Sequence, residues 1–103
     1  MNQPHPRRHL SAFRALSSEA RYEIVRTLAS DGSPHSCREL IDQLGITAPA
    51  VSNHVRILQE ADLIQTERRG SQLYLSLAAS DLAYQMAALV QQGGPAPGAP
   101  PPP

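Results

Sequence analysis

The segment SCRELIDQLGITAPAVSNHVRILQEADLI, residues 36–64, decides the fold of this chain. Two helical patterns meet in it at residues 45–47, where a glycine suited to ending one helix is followed by a threonine suited to capping the next. In the second pattern the apolar residues Val51, Val55 and Leu58 recur at helical spacing and so share one face. The segment therefore predicts two short helices joined by a tight turn.

The pattern changes after this helix pair. Residues 64–68 and 72–77 are typical of two strands, and Arg69, Gly70 and Ser71 between them are typical of a hairpin turn. A helix pair with a tight turn, followed by a two-stranded hairpin, is the order of elements in a winged helix-turn-helix. In that fold the second helix of the pair can enter the major groove of DNA, where base edges carry a full hydrogen-bonding code.

Further helices are predicted on either side of this unit. Apolar residues at helical spacing indicate helices over residues 8–16, 18–30 and 81–91, with Ser17 capping the second of these and Ser80 the last. The predicted fold is mainly α-helical with a small β-hairpin, in the order α-α-α-α-β-β-α. The expected divisions are a flexible arm (1–7), one winged helix-turn-helix domain (8–92) and a disordered proline-rich tail (93–103).

The composition excludes several classes of protein. The chain has 103 residues, enough for one small domain, and its nine arginines balance nine acidic residues. Zero net charge argues against a nucleic-acid binder when taken as a total, although the distribution of charge matters more than the sum. The one cysteine, Cys37, excludes a disulfide framework and a four-cysteine zinc site, and we interpret it as a packing residue.

The sequence contains neither a membrane span nor a catalytic motif. No run of about 18 apolar residues occurs, and the N-terminal residues lack the apolar stretch of a secretory signal. We therefore expect a cytoplasmic protein with no membrane partner. Glycine-rich phosphate loops, paired-carboxylate clefts and nucleophiles with a partnered base are also missing, so we expect no enzymatic activity.

Polar residues cover the outward face of the second helix of the pair. Asn53 can bind adenine through both its amide groups, Arg56 can reach phosphate or guanine, and no acid lies between Ala48 and Gln59. The alternative is an amphipathic helix, and a pair of turn arginines, that are only solvated. The expected DNA contacts are Thr47, Ala48, Pro49, Ser52, Asn53, His54 and Arg56 of the helix and Arg68, Arg69, Ser71 and Gln72 of the hairpin.

The chain resembles the ArsR family of dimeric bacterial winged-helix regulators over residues 10–90. The resemblance lies in ALSSEARYEIVRTL, residues 15–28, and above all in AVSNHVRILQEADLI, residues 50–64, followed by a charged hairpin that ends in LYLSL. It implies a homodimer built through the first and last helices. The DNA-facing residues that it implies are Thr47, Pro49, Ser52, Asn53 and His54, with Arg68 and Arg69 in the hairpin. The interface residues that it implies are Leu10, Phe13, Leu82, Met86, Leu89 and Val90.

The resemblance does not extend to the metal sites of that family. Many members carry two cysteines one residue apart in the third helix, where this chain has Ser36 and Arg38, and a second site needs histidines in the last helix, which has none here. Nitrogen ligands for nickel or zinc could still come from His5, His9 and His35. The alternative is that these histidines are only solvated, so no cofactor is certain.

Three functions follow from these observations. The first is a sequence-specific regulator of transcription, a repressor by resemblance, that binds an inverted-repeat operator in double-stranded DNA as a homodimer. The second is a metal-responsive regulator with nickel or zinc bound by histidines of the arm or loop. The third is a protein-interaction module that kept the fold without DNA binding. A co-regulator protein is a further expected partner of the first.

Overall fold

The computed structural model describes residues 6–93, without the side chain of Pro6, so the predicted ligand His5 lies outside the described residues. In chain order the elements are α1 (Pro6–Leu16), α2 (Glu19–Asp31), β1 (His35–Ser36), α3 (Cys37–Leu44), α4 (Ala48–Glu60), β2 (Ile64–Arg69), β3 (Gln72–Leu77) and α5 (Asp81–Gln91). The mainly helical fold with a hairpin after the fourth helix is confirmed. None of the described helices is long and apolar enough to cross a membrane.

The described sheet has three antiparallel strands in the order β1-β3-β2, one strand more than the sequence predicts. β1 contains only His35 and Ser36, which pair with Leu75 and Tyr74 of β3. Two residues are too few to show the alternation by which a strand is recognised in a sequence. β2 and β3 form the expected hairpin, here called the wing, whose turn places Gly70 at a φ of 63°.

Side-chain caps define where the helices begin. The predicted cap of α2, Ser17, is wrong by one residue, because the hydroxyl of Ser18 accepts the hydrogen bond from the Arg21 N–H. Ser17 instead donates its hydroxyl hydrogen to the carbonyl of Arg14 at 2.6 Å, at the end of α1. Adjacent serines are equivalent in a sequence pattern, and only the backbone geometry decides between them. The caps of α3, α4 and α5 are Ser36, Thr47 and Ser80.

One hydrophobic core joins the helices to the sheet. The inward face of α4, formed by Val51, Val55 and Leu58, is buried as predicted. Burying each such side chain favours folding by roughly 1.5–3 kcal/mol, so this face holds α4 firmly against the core. The opposite side of α4 is thereby kept outward. Other fully buried members of the core are Ile24, Leu28, Leu40, Leu63 and Leu75.

The last helix contributes more to the core than the sequence indicates. The three α5 residues expected at a dimer interface, Leu82, Met86 and Val90, are only 8%, 3% and 2% exposed in the single chain. They therefore form part of the core of the single chain, and their place at a dimer interface stays a prediction. Leu10, Phe13 and Leu89 of the same predicted set are exposed, and an unpredicted aromatic residue, Tyr84, is also exposed.

Candidate nucleic-acid interface

A tight turn between α3 and α4 sets the direction of α4. Gly45 ends α3 at a φ of 66°, and its N–H donates to the carbonyl of Ile41 at 2.9 Å. Any larger side chain is strained at such a φ, so glycine suits this position. Thr47 then caps α4, because its hydroxyl accepts from the N–H of Ala50 at 3.2 Å. The turn is the one expected of a helix-turn-helix.

The outward side of α4 is open to solvent. No acidic residue occurs in α4 before Glu60, its last residue. The free N–H groups at the start of the helix add positive potential near the same surface. The surface therefore offers donors to a polyanion and little repulsion. We call it the outer flank, and its residues are all exposed: Thr47, Ala48, Pro49, Ser52, Asn53 and Arg56.

Asn53 and Arg56 are linked to each other on the outer flank. Arg56 donates from Nη2 to Asn53 Oδ1 at 2.8 Å and from Nη1 to Glu60 Oε1 at 3.1 Å. Exposed pairs within one helix are worth only about 0.3–0.5 kcal/mol, so DNA can displace them at small cost. An adenine contact uses both amide groups of Asn53, and its Oδ1 has two lone pairs, so it can accept from adenine whether or not Arg56 stays bound.

His54 is turned away from the outer flank toward α2. Its ring is half-buried, and Nδ1 lies 3.1 Å from Nη1 of Arg21. Burial, and secondarily the charge of Arg21, lower the pKa of His54, so its imidazole is neutral at pH 7. Sequence reasoning grouped His54 with the outward residues and missed Arg21. The two are 33 residues apart, and no local pattern connects them.

The two arginines of the wing are held differently. The guanidinium of Arg69 lies 4.8 Å from the centroid of the Tyr74 ring, and its Nη2 donates to Glu67 Oε2 at 3.2 Å. The other predicted wing contacts are exposed Ser71 and half-buried Gln72. The side chain of Arg68 is exposed and has no hydrogen bond or ion pair with any residue that the structure describes. Arg68 is therefore the wing cation that can meet a phosphate without first breaking a contact.

The candidate metal ligands are not brought together. His35 lies between two carboxylates, with Nε2 3.1 Å from Asp31 Oδ1 and Nδ1 2.9 Å from Glu39 Oε2. His9 lies on α1 and forms no metal-binding group with this cluster, and His5 is outside the described part of the chain. Within residues 6–93, no group of three or more His, Cys, Asp or Glu residues is arranged to hold a metal ion. Metal binding therefore stays a prediction.

The carboxylate cluster around His35 shifts the titration of its members. Hydrogen bonds from Ser33 and, after them, from His35 lower the pKa of Asp31 to about 2. For His35, burial alone would lower the pKa, but the hydrogen bonds and charges of Asp31 and Glu39 together outweigh it and raise the pKa. Because Asp31 ends α2, His35 lies in β1 and Glu39 lies in α3, the cluster ties three elements together in a pH-dependent way.

Cys37 packs against the core from the start of α3. Its side chain is half-buried beside the hydrophobic cluster. Burial raises the pKa of its thiol, although the charge of Arg68 acts in the opposite direction. A thiol with a raised pKa is little ionised at pH 7 and is therefore weakly reactive. This agrees with the interpretation of Cys37 as a packing residue.

Known proteins match this chain in both sequence and fold. The family model described as a helix-turn-helix domain matches residues 16–67. The chain is similar to the HTH-type transcriptional regulator YceK of Bacillus subtilis, at 38% identity over 65 residues that cover 63% of this chain and 65% of YceK. It is also similar to the HTH-type transcriptional repressor SmtB of Mycobacterium tuberculosis, at 35% identity over 95 residues that cover 88% of this chain and 69% of SmtB.

A solved structure shares the fold. The homodimeric winged helix-turn-helix DNA-binding domain Mb0332 of Mycobacterium bovis superimposes with a TM-score of 0.71 at 22% identity, over 90% of this chain and 89% of that domain. In length, the chain spans 65% of YceK and 69% of SmtB, its curated relatives. The chain therefore belongs to the helix-turn-helix family that its sequence matches and, within it, to the ArsR-type winged helix-turn-helix transcriptional regulators, a family of regulators rather than of enzymes.

Proposed function

We propose that this chain is a sequence-specific DNA-binding repressor that acts in the cytoplasm as a homodimer on an inverted-repeat operator. The observation that carries the proposal is the outer flank of α4, which is exposed along its length and free of acid up to Glu60. Two recognition helices related by a twofold axis would enter successive major grooves, about 34 Å apart. The similarity to SmtB, a transcriptional repressor, supports repression as the outcome of binding.

The side chains of the outer flank have distinct tasks in this proposal. Thr47 and Ser52 donate short hydroxyl hydrogen bonds to phosphate or base, and Asn53 binds one adenine through both amide groups. Arg56 reaches a phosphate or a guanine through N–H groups that Asn53 and Glu60 leave unused. Arg68 of the wing neutralises a phosphate beside the groove, which adds affinity without sequence preference.

The proposed dimer covers an apolar surface on α1 and α5. Leu10, Phe13, Tyr84 and Leu89 are 52%, 47%, 59% and 38% exposed in the single chain. Exposed large apolar side chains mark a protein interface where a partner covers them together, as the proposed dimer would. A second copy is the occupant that we propose, because an inverted repeat requires two copies and the similar Mb0332 domain is homodimeric.

Selection of binding sites from random duplexes tests the proposal. We expect enrichment of an imperfect inverted repeat whose half-sites lie about one helical turn apart. Ser52→Asp places a negative charge on the outer flank and should abolish enrichment. Ser30→Asp adds the same charge on the exposed side of α2 and should leave enrichment intact. Absence of enrichment with the unmodified chain, or equal behaviour of the two variants, would contradict the proposal.

Regulation by nickel or zinc is the second candidate. The observation that bears on it is the presence of three histidines before α3, because nitrogen donors suit both metals, whereas the carboxylates beside His35 approach opposite ring nitrogens and do not form a metal site within residues 6–93. His5 and His9 are the further ligands that the sequence offers. Calorimetric titration of tag-free protein with each ion tests the candidate, with His35→Ala as the matched variant. Stoichiometric binding that is lost in the variant supports it, and absence of binding rules it out.

A protein-interaction module without DNA binding is the third candidate. Zero net charge favours it, because non-specific DNA affinity arises from a surplus of basic residues. The retention of the chain on random duplex DNA separates this candidate from the first. Retention that falls steeply with salt supports DNA binding, whereas absence of retention at low salt supports an interaction module. A co-regulator protein remains compatible with either result.

A further inference from the structure

Arg21 connects three helices next to the outer flank. It lies in the first turn of α2, where its Nε donates to the carbonyl of Ala15 in α1 at 2.7 Å. Its Nη1 lies 3.1 Å from Nδ1 of His54 in α4. Burial lowers the pKa of Arg21, but arginine stays charged at pH 7 because its ordinary pKa is so high. A charged donor group is therefore fixed against the ring of His54.

This contact determines which nitrogen of His54 carries the proton. A guanidinium has five N–H donors and no acceptor, so Nδ1 of His54 has to accept the hydrogen bond. The imidazole is neutral, since burial and the neighbouring charge of Arg21 lower its pKa. In a neutral imidazole only one nitrogen is protonated. The proton of His54 is therefore on Nε2.

The Nε2–H group is open to an external acceptor. Every buried side-chain nitrogen and oxygen of the described residues has a hydrogen-bond partner. Nε2 of His54 has no partner within residues 6–93, so it must be reached by solvent. Asn53 and Arg56, which are near it on the same helix, belong to the outer flank. An uncommitted donor thus lies at the border of the surface that faces DNA.

We propose that Arg21 is a positioning residue, which holds His54 as the Nε2–H tautomer so that Nε2 donates a hydrogen bond to a phosphate oxygen of DNA bound along α4. The inference rests on the proposed DNA binding by α4. A phosphate is favoured over a base because His54 leans toward α2, and phosphates border a groove whose floor is formed by base edges.

Two substitutions of His54 separate the roles of its ring nitrogens. His54→Asn keeps an acceptor near the position of Nδ1 but removes the outward donor, whereas His54→Gln places an N–H donor near the position of Nε2. We expect His54→Asn to weaken binding of a selected duplex by about 10-fold, as for the loss of a hydrogen bond to a charged acceptor. His54→Gln should lose less than about threefold by the same comparison.

Substitution of Arg21 tests whether the hydrogen-bond donor of His54 depends on Arg21. Arg21→Met removes the guanidinium and retains a long side chain for packing, and should weaken binding about as much as His54→Asn. The double variant should lose little more than either single variant, because both remove the same donor. The slope of affinity against salt should stay unchanged in the His54 variants, since a neutral donor releases no counterion.

The tautomer itself is measured by 15N NMR of the imidazole in the full chain at pH 7.5, without DNA. We expect a protonated Nε2 and a bare Nδ1 in the unmodified protein, and a mixture of tautomers in Arg21→Met. A protonated Nδ1 in the unmodified protein would overturn the proposal. So would equal affinities of His54→Asn and His54→Gln, whereas a loss confined to one base position would overturn the assignment to phosphate.

These outcomes are distinguishable from failure of the proposed function. If the unmodified chain shows no salt-dependent binding to DNA, the proposed function fails, and the role of His54 fails with it. If the unmodified chain binds and only the His54 and Arg21 variants depart from expectation, the proposed function stands and this inference alone is overturned.

Discussion

α4 and α5 bury one side in the same core, but their outward sides have opposite chemistry. α4 presents the polar outer flank, whereas α5 presents Tyr84 and Leu89, which are 59% and 38% exposed. A surface rich in donors and free of acid suits a polyanion, and an apolar surface suits another protein surface. The difference shows that one small core can support two different surfaces. We propose that one binds DNA and the other binds a second copy of the chain.

The largest expected effect comes from a substitution in the hydrophobic core, which supports both surfaces. Leu58 is fully buried on the inward face of α4. Leu58→Ala should lower the free energy of unfolding by about 2–5 kcal/mol, because the substitution loses buried area and leaves a cavity. Urea unfolding measures the change, with exposed Ser52→Ala on the same helix as the control. A comparable loss in the control would show that the two sides of α4 are not distinct.

The next largest effect is expected at the apolar surface of α1 and α5, where a substitution should weaken the dimer and leave the fold intact. Phe13→Ala should raise the dissociation constant of the dimer about 30-fold, corresponding to about 2 kcal/mol for an aromatic interface residue. The stability of the monomer should change little because Phe13 is 47% exposed. Sedimentation velocity measures the dimer, with Asp42→Ala on α3 as control. An unchanged dimer, or a chain that is monomeric throughout, would refute the assignment of this surface.

Substitution on the outer flank should change the sequence specificity of DNA binding. Asn53→Ala should cost about 1–3 kcal/mol on the selected duplex and relax preference at one base position, since a bidentate adenine contact is lost. Fluorescence anisotropy on the selected duplex and on random duplexes measures both effects. The dimer should be unaffected, in contrast to Phe13→Ala. Equal losses on selected and random DNA would show that Asn53 does not read a base.

Substitution in the wing should lower DNA affinity without changing sequence specificity. Arg68→Ala should weaken all duplexes nearly alike and reduce the salt slope by about one phosphate contact. Arg69→Ala should have the smaller effect on DNA binding, because Arg69 is already engaged by Tyr74 and Glu67. Affinities measured over a salt series test the pair. A larger loss for Arg69→Ala would mean that its contacts break on binding and that it, rather than Arg68, meets the phosphate.

The smallest effects are expected where neither surface is involved. Because its pKa is lowered from 3.8 to about 2, Asp31 stabilises the fold above pH 3.8, and the effect is lost as the pH falls through about 2. His35, with a raised pKa, stabilises the fold below pH 6.5 and loses this effect as the pH rises through the raised value. Thermal unfolding of Asp31→Asn should therefore show a weaker pH dependence in both windows.

Two comparisons complete this prediction about pH. Asp42→Asn, an exposed substitution on α3, should retain the pH dependence of the unmodified chain. Dimerisation and DNA affinity at a fixed pH should be the same for both variants, because none of the residues in the cluster around His35 belongs to the outer flank or to the apolar surface. Identical pH profiles for Asp31→Asn and the unmodified chain would show that the cluster does not contribute to stability.

The sequence predicts the orientation of α4 well and that of α5 poorly, for one physical reason. In α4 the apolar residues expected to face inward form a single stripe, and they are the ones that are buried. In α5, DLAYQMAALVQ, apolar residues occur on almost every side, so helical spacing does not reveal which stripe meets the core. Consequently the predicted interface residues Leu82, Met86 and Val90 are core residues, and exposed Tyr84 was missed.

Contacts between distant segments were beyond the reach of sequence patterns. Local rules predicted the turn at Gly45 and the cap at Thr47, because both depend on neighbouring backbone. The contact between Arg21 and His54 depends on how α2 and α4 pack, and the strand formed by His35 and Ser36 depends on β3 lying beside it. Such contacts follow from tertiary packing, which periodicity and capping rules do not describe.

Amide NMR spectra of the full chain, recorded during titration with the selected duplex, test most directly whether the outer flank enters DNA. We predict the largest shifts at Ser52, Asn53 and Arg56, smaller shifts in the wing, and none at Tyr84 beyond those caused by dimerisation. Unchanged signals from the outer flank, together with shifts on another face of the molecule, would contradict the account.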